Sequence, residues 1–247
     1  MDEKIKSEIL QGGEKDVFQE ALTYLQQKAV VPYADFKRLR EWYRSLAFSV
    51  AGYTSLEVLN TFLEALQDAV KEGTTKRDFR EQMNSFLEEH GYDALTPYHA
   101  DMIFRQNIQT AYNVGHYQQM TDPDVMERRS YWQYQTAGDS RVREEHQIMD
   151  GRVYPADDPI WDIWFPPNGF GCRCTVVSRT EAWVKSHGIS VEHTVPTMMN
   201  PKTREAEGVL PDKGFRTNPA KAKWTPDLAG FPEVLKEAWE KRQREAQ

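Results

Sequence analysis

The 247 residues carry 38 Asp and Glu against 31 Lys and Arg, a formal charge of −7 at pH 7, with 39% hydrophobic and 28% charged side chains. This is the balance of a folded chain with a sizeable core, and it argues against a protein whose main work is non-specific grip on nucleic acid, which needs many phosphate-neutralising cations. No apolar run approaches the roughly 20 residues that span a bilayer, and the start, "MDEKIKSEILQGGEKD", lacks the apolar stretch of a signal peptide. The expectation is synthesis in the cytoplasm, with no membrane partner and no disulfide between the two cysteines.

The first 120 residues read as helices. Residues 14–29 place Val17, Phe18, Ala21, Leu22 and Leu25 at spacings of three and four, and residues 35–50 repeat the stripe with Phe36, Leu39, Trp42, Tyr43, Leu46 and Ala47. Thr54 with Glu57 reads as a capping box for a helix ending at Gly73, and Thr75 opens another that closes at Gly91. Thr96 and Pro97 form an N-cap and first-turn pair for a long helix to Met120. That helix carries Arg105, Asn107 and Asn113. Arg105 and Asn113 share a face and are expected to anchor neighbouring loops, because polar groups on a core-facing helix need partners. A substrate-binding role is the alternative.

The pattern changes at residue 122. Residues 121–129 read as a turn and short connection, and residues 130–137 as a strand. Residues 138–151 read as a turn and a short helix, capped by Asp139 and stopped by Gly151. A proline-rich loop follows, with Trp161, Trp164 and Phe165, and "CRCTVVSRT" at 172–180 alternates as a second strand. The arm from 188 has little periodicity before a terminal helix over 230–247. The fold class is therefore α+β: a helical region over 1–94, an α+β module over 95–185, and an extended arm with a terminal helix over 186–247.

The chemistry centres on Cys172 and Cys174, one residue apart after a Pro-Pro-Asn-Gly turn. With His146 they form a thiolate–imidazole set suited to zinc, Asp139 or His99 being the fourth ligand considered. Against zinc stands the short Cys-x-Cys spacing. The plainer reading makes both cysteines small buried residues on one face of a strand, and His146 an inward side chain hydrogen-bonded within the module. Cysteine–histidine catalysis lacks an oriented third member, although Glu145 or Asp150 is a carboxylate within reach in sequence. No cofactor is expected on this reading, with zinc at His146, Cys172 and Cys174 as the alternative. Lys213, Arg216, Lys221 and Lys223 are the local support for contact with DNA.

Taken in order, Arg105, Asn107 and Ala111-Tyr112-Asn113, then "YWQYQTAGDSRVREEHQIMDGRVY", then "PPNGFGCRC" resemble the phage Mu gpF-like minor head (head morphogenesis) family. Gly214, Phe215, Arg216 and Asn218 resemble a segment that follows in such proteins. The resemblance covers roughly residues 50–225 and is strongest over 100–178. It implies a structural, non-enzymatic virion protein of a tailed phage or prophage. Such a protein is made in the host cytoplasm and acts in head assembly with the portal, scaffold or major capsid protein; some members enter the head and associate with packaged DNA. Many relatives carry further cysteines near the positions of Arg143 and Glu145. A virion-delivered metal-dependent enzyme using His146, Cys172 and Cys174 is the alternative function. The module residues singled out as structural are Arg105, Asn113, Asp139, His146, Gly151, Cys172 and Cys174, with the two cysteines expected on a central strand and Arg173 on its other face.

Overall fold

The computed structural model describes residues 17–200 and 202–222. Helix α1 (Gln19–Gln26) buries Ala21, Leu22 and Leu25, as their spacing predicts. The single helix expected over 35–50 does not form. The chain makes α2 (Tyr33–Arg38) and α3 (Glu41–Arg44), separated by extended backbone at Leu39 and Arg40. Strand β2 (Ala47–Phe48) then pairs in parallel with β1 (Ala29–Val30). Two interactions override the helical pattern. The Arg44 guanidinium takes the Leu39 and Lys37 carbonyls, each at 3.1 Å, and Phe48 and Val50 are buried in the helical core.

Helix α4 (Leu56–Glu72) is capped by Ser55 rather than Thr54: the Ser55 hydroxyl accepts from Val58 N at 3.4 Å. It stops at Gly73, whose φ of 70° is reached at little steric cost without a Cβ. Helix α5 (Lys76–Glu89) begins with a reciprocal capping box between Thr75 and Asp78. Helix α6 (Pro97–Met120) is capped by Thr96, with Pro97 at its first position. Phe62, Leu66, Phe79, Met83, Leu87, Ile103 and Val114 bury the facing stripes of these helices in one core. Helix α1 packs closely on α6 at Gly115, where an added Cβ would lie 2.7 Å from the Phe18 ring.

The connection expected over 121–129 contains α7 (Pro123–Arg128), opened by the Asp122 carboxylate, which accepts from the Asp124 and Val125 N–H groups. An antiparallel sheet follows in the order β4-β3-β5, with β3 (Tyr131–Gln135) between β4 (Val153–Pro155) and β5 (Thr175–Arg179). In its register Trp132 stands opposite Tyr154 and Ser178. The cysteines are therefore not on a central strand. They lie in extended chain just before β5, which pairs only with β3 among the described residues, and β3 is the central strand. Helix α8 (Glu144–Met149) begins later than expected, with Arg143 at its N-cap, so Asp139 does not cap it.

Helix α9 (Glu181–Ser186) and a hairpin of β6 (Thr197–Met199) and β7 (Ala206–Gly208) follow. The arm returns through Val209, which joins a second core built on Trp132, Trp161, Trp164, Phe165, Tyr134 and Tyr154. Helix α6 serves both cores: Ala100 to Val114 belong to the first, and Tyr117 and Met120 pack in the second. The helix expected over 230–247 lies outside the described residues. No helix among the described residues is long and apolar enough to cross a membrane.

Candidate functional site

One side of α6 carries Gln106, Gln109, Asn113 and His116, spaced three, four and three residues apart and hence on one face. This stripe binds the segment that contains the cysteines. Gln106 Oε1 accepts from Gly171 N at 3.2 Å, and Gln109 Nε2 donates to the Cys174 carbonyl at 3.4 Å. Asn113 Nδ2 donates to that same carbonyl at 3.5 Å, the Thr175 hydroxyl donates to Asn113 Oδ1 at 3.5 Å, and His116 Nε2 donates to the Val176 carbonyl at 3.0 Å. Asn113 is thus an anchor, as its position suggests. Arg105 is not: it is a half-exposed partner of Asp101, one turn earlier, at 2.8 Å. Asn107 donates to the Ile103 carbonyl within the helix.

The aromatic loop closes the other side. Trp161 Nε1 donates to the Pro155 carbonyl at 2.8 Å and Trp164 Nε1 to the Val209 carbonyl at 3.3 Å. Asn168, fully buried, accepts from the Tyr134 hydroxyl at 2.8 Å and donates to the Ile163 carbonyl at 3.4 Å. These bonds satisfy polar atoms that the packing removes from water.

Between the stripe and the aromatic shell sit His146, Cys172 and Cys174, exposed by 2%, 6% and 2%. His146 projects inward from α8, with Gly151 just beyond the helix end at a φ of 76°. Its Nδ1 lies 3.5 Å from Cys174 Sγ and 3.8 Å from Cys172 Sγ, and Trp164 packs edge-on against its ring. His146 Nε2 has no hydrogen-bond partner among the described residues, so neither Glu145 nor Asp150 orients the ring; Asp150 accepts from Thr136 N instead. The Cys172 thiol is held well below its usual range by hydrogen bonds from Cys174, then from His146 and the Asn168 and Cys174 N–H groups, while the Cys174 thiol is pushed up by its bond to Cys172 and by burial. Burial, with the neighbouring cysteines, also raises the Tyr134 hydroxyl well above its ordinary value.

The proposed fourth ligands are elsewhere. Asp139 faces Arg173, whose two guanidinium nitrogens donate to it at 2.8 and 2.5 Å, and Arg141, at 3.0 Å. Those bonds, Arg173 first, hold its carboxyl far below the ordinary carboxylate range. His99 lines a separate groove of about 360 Å³ with Tyr24, Lys28, Phe36, Phe170 and Lys213. The basic residues are not gathered into one free patch. Lys221 pairs with Asp162, Arg216 donates to the Pro211 carbonyl at 3.1 Å, and Lys213 lines the groove. Lys223 lies outside the described residues. Arg143 donates to the Phe170 carbonyl at 2.5 Å and pairs with Asp212.

Residues 60–177 match the family described as Phage Mu protein F like protein. Over those residues the chain is similar to Phage Mu F-like proteins. The α6 stripe, His146 and both cysteines all fall within the matched range. The chain is 36% identical over 169 residues to the Mu-like prophage FluMu F protein of Haemophilus influenzae, covering 61% of this chain and 40% of that protein. It is 31% identical over 217 residues to the putative capsid assembly protein F of Escherichia phage Mu, covering 76% of this chain and 48% of that one. The chain thus spans about half the length, or less, of these curated relatives. No solved structure matches it.

The residues that sequence reasoning passed over are Gln106, Gln109 and His116 on the stripe, and Tyr134 and Asn168 in the loop's anchorage. The stripe had a usable signal, since polar residues recurring at helical spacing need partners along one face. Tyr134 and Asn168 had none, because a tyrosine on a strand and an asparagine in a turn are equally at home without each other.

Proposed function

We propose that this protein is a structural minor component of a tailed-phage or prophage head, acting in assembly with the portal, scaffold or major capsid protein and retained in the particle. The observation that carries the reading is the match to the putative capsid assembly protein F of phage Mu. It extends over 217 residues and takes in the helical region as well as the module. The geometry supports a non-enzymatic role. The cluster with reactive chemistry found among the described residues, His146 with Cys172 and Cys174, is sealed between α6 and an aromatic shell and offers a substrate no open face. The acidic balance of the chain fits protein partners better than wrapped DNA. Packaged DNA is the secondary partner in this reading, through Lys213, Arg216, Lys221 and Lys223.

Quantitative mass spectrometry of procapsids and mature particles, from strains with and without the portal gene, tests the role. The expected result is a low copy number in particles that falls when the portal is deleted. Absence from both kinds of particle overturns the reading and turns attention to an activity at the His146 cluster.

A further inference from the structure

An assembly role makes no use of the cluster at the centre of the module, and its geometry has a use of its own. The ligand atoms of His146, Cys172 and Cys174 all lie within 4.8 Å of one another. With zinc bonds of about 2.3 Å to sulfur and about 2.05 Å to nitrogen at tetrahedral angles, nitrogen and sulfur stand about 3.6 Å apart. The observed separations of 3.5 and 3.8 Å lie on either side of that value.

Hydrogen bonding alone accounts for the same atoms less well. Nδ1 has a single lone pair or a single proton, yet it is turned between two sulfurs. Nε2 is buried with no hydrogen-bond partner among the described residues, so within them the ring is not placed to satisfy both of its nitrogens. A ring oriented to present one nitrogen to two convergent sulfurs is oriented as a ligand.

We propose that His146 Nδ1, Cys172 Sγ and Cys174 Sγ hold one zinc ion, which fastens α8 to the segment leading into β5. The one-residue spacing of the cysteines suits this arrangement. In extended chain, residues 172 and 174 turn to the same side while Arg173 turns away to Asp139. Thiolates with imidazole select zinc over magnesium or calcium, which take oxygen ligands. No fourth His, Cys, Asp or Glu joins the three among the described residues. The fourth position falls to water or to the Tyr134 hydroxyl, which is buried in the same core as the two cysteines. Burial in an aromatic shell makes this a structural clamp: it joins α8 and the residue 172–174 segment, and through Tyr134 it reaches β3.

The proposal is tested on the full chain, expressed in zinc-supplemented medium and purified without chelator. Elemental analysis is expected to find one zinc per chain. Cobalt(II) exchanged into the site is expected to give the intense visible bands of a tetrahedral ion together with a thiolate-to-cobalt charge-transfer band. C172S and C174S are each expected to lose the bound metal. Because these variants may not fold, the wild-type chain is also stripped with chelator, checked for folding by circular dichroism and titrated with zinc, which is expected to restore one equivalent and raise Tm. A folded wild-type chain that carries no zinc and takes up none in the titration overturns the proposal. So does zinc retained by a folded C172S/C174S double variant, or copper in place of zinc in the purified protein. None of these outcomes depends on whether the protein is found in particles.

Discussion

The two cores of this chain are built from different materials. The helical core is made of Leu, Val, Ala, Ile, Met and Phe with a single tyrosine, Tyr24, and no Asn, Gln, Ser or His is buried on α1, α4 or α5 among the described residues. The module's core is aromatic and encloses His146 and Asn168, with Asn113, Gln133, Ser178 and Asn218 buried around it. A core of the first kind tolerates rearrangement, because one aliphatic contact replaces another with modest loss. A core of the second kind does not. The Trp161 and Trp164 N–H groups, the Asn168 amide and the Tyr134 hydroxyl each have a geometry in which they are satisfied, so these polar atoms restrict the arrangement that the apolar area stabilises.

The largest effect expected from breaking either core is loss of a fully buried side chain. Trp164→Ala removes a residue with 0% exposure and is expected to cost about 3–5 kcal/mol. Leu66→Ala, equally buried in the helical core, is expected to cost about 2–5 kcal/mol. Urea unfolding followed by tryptophan fluorescence and by far-ultraviolet circular dichroism checks both. Because α6 belongs to the two cores, the two signals are expected to move together in each variant. Transitions that separate would mean the cores unfold independently.

A smaller change addresses the polar atoms alone. Asn168→Ala takes away the acceptor of the buried Tyr134 hydroxyl and is expected to cost about 1–3 kcal/mol. The same denaturation series measures it, and a loss well under that range would mean that the module's polar network is not what fixes its core. The smallest effect is at the surface. Asp139 is ionised far below the ordinary carboxylate range when folded, so it binds protons more weakly folded than unfolded. The stability it contributes is complete above the unfolded pKa and is lost as pH falls through the folded one. Asp139→Asn is expected to flatten the acid limb of a Tm-versus-pH curve while leaving neutral pH nearly unchanged, since the Arg173 pair is partly exposed.

Local rules were legible where the deciding atoms are neighbours in sequence. Thr75, Thr96 with Pro97, and Gly73 each need only their own turn of helix, and each stands where the sequence predicts. The same rules failed at 35–50. Its stripe of Phe36, Leu39, Tyr43, Leu46 and Ala47 is compatible with a helix, but Ala47 and Phe48 pair with Ala29 and Val30 far back in the chain. Asp139 misled because the residue that caps helices is also the residue that pairs with Arg, and Arg173 lies 34 positions away. At the candidate site the chemistry was legible and the geometry was not. Two thiols and an imidazole suggest one another as ligands, but only the fold brings a nitrogen and two sulfurs separated by 26 and 28 positions to one point. The proposed fourth members, Asp139 and His99, had equal standing in sequence and turn out to serve an ion pair and a separate groove.

The division of α6 between two cores also has a consequence in time. The buried members of the helical core among the described residues lie between Ala21 and Val114, with only the partly buried Ala220 added from the arm, so during synthesis that half has nearly all of its interior once α6 has emerged from the ribosome. The polar face of α6 must wait. Gln106 bonds Gly171, 65 positions later, and His116 bonds Val176, 60 positions later. At bacterial elongation rates of about 5–20 residues per second, that face stays open to water for several seconds while the helix behind it is already docked. A stripe of glutamine, asparagine and histidine suits such an interval: water serves as its provisional partner until residues 171–176 displace it, whereas an apolar stripe in the same place would stand exposed to every other nascent chain.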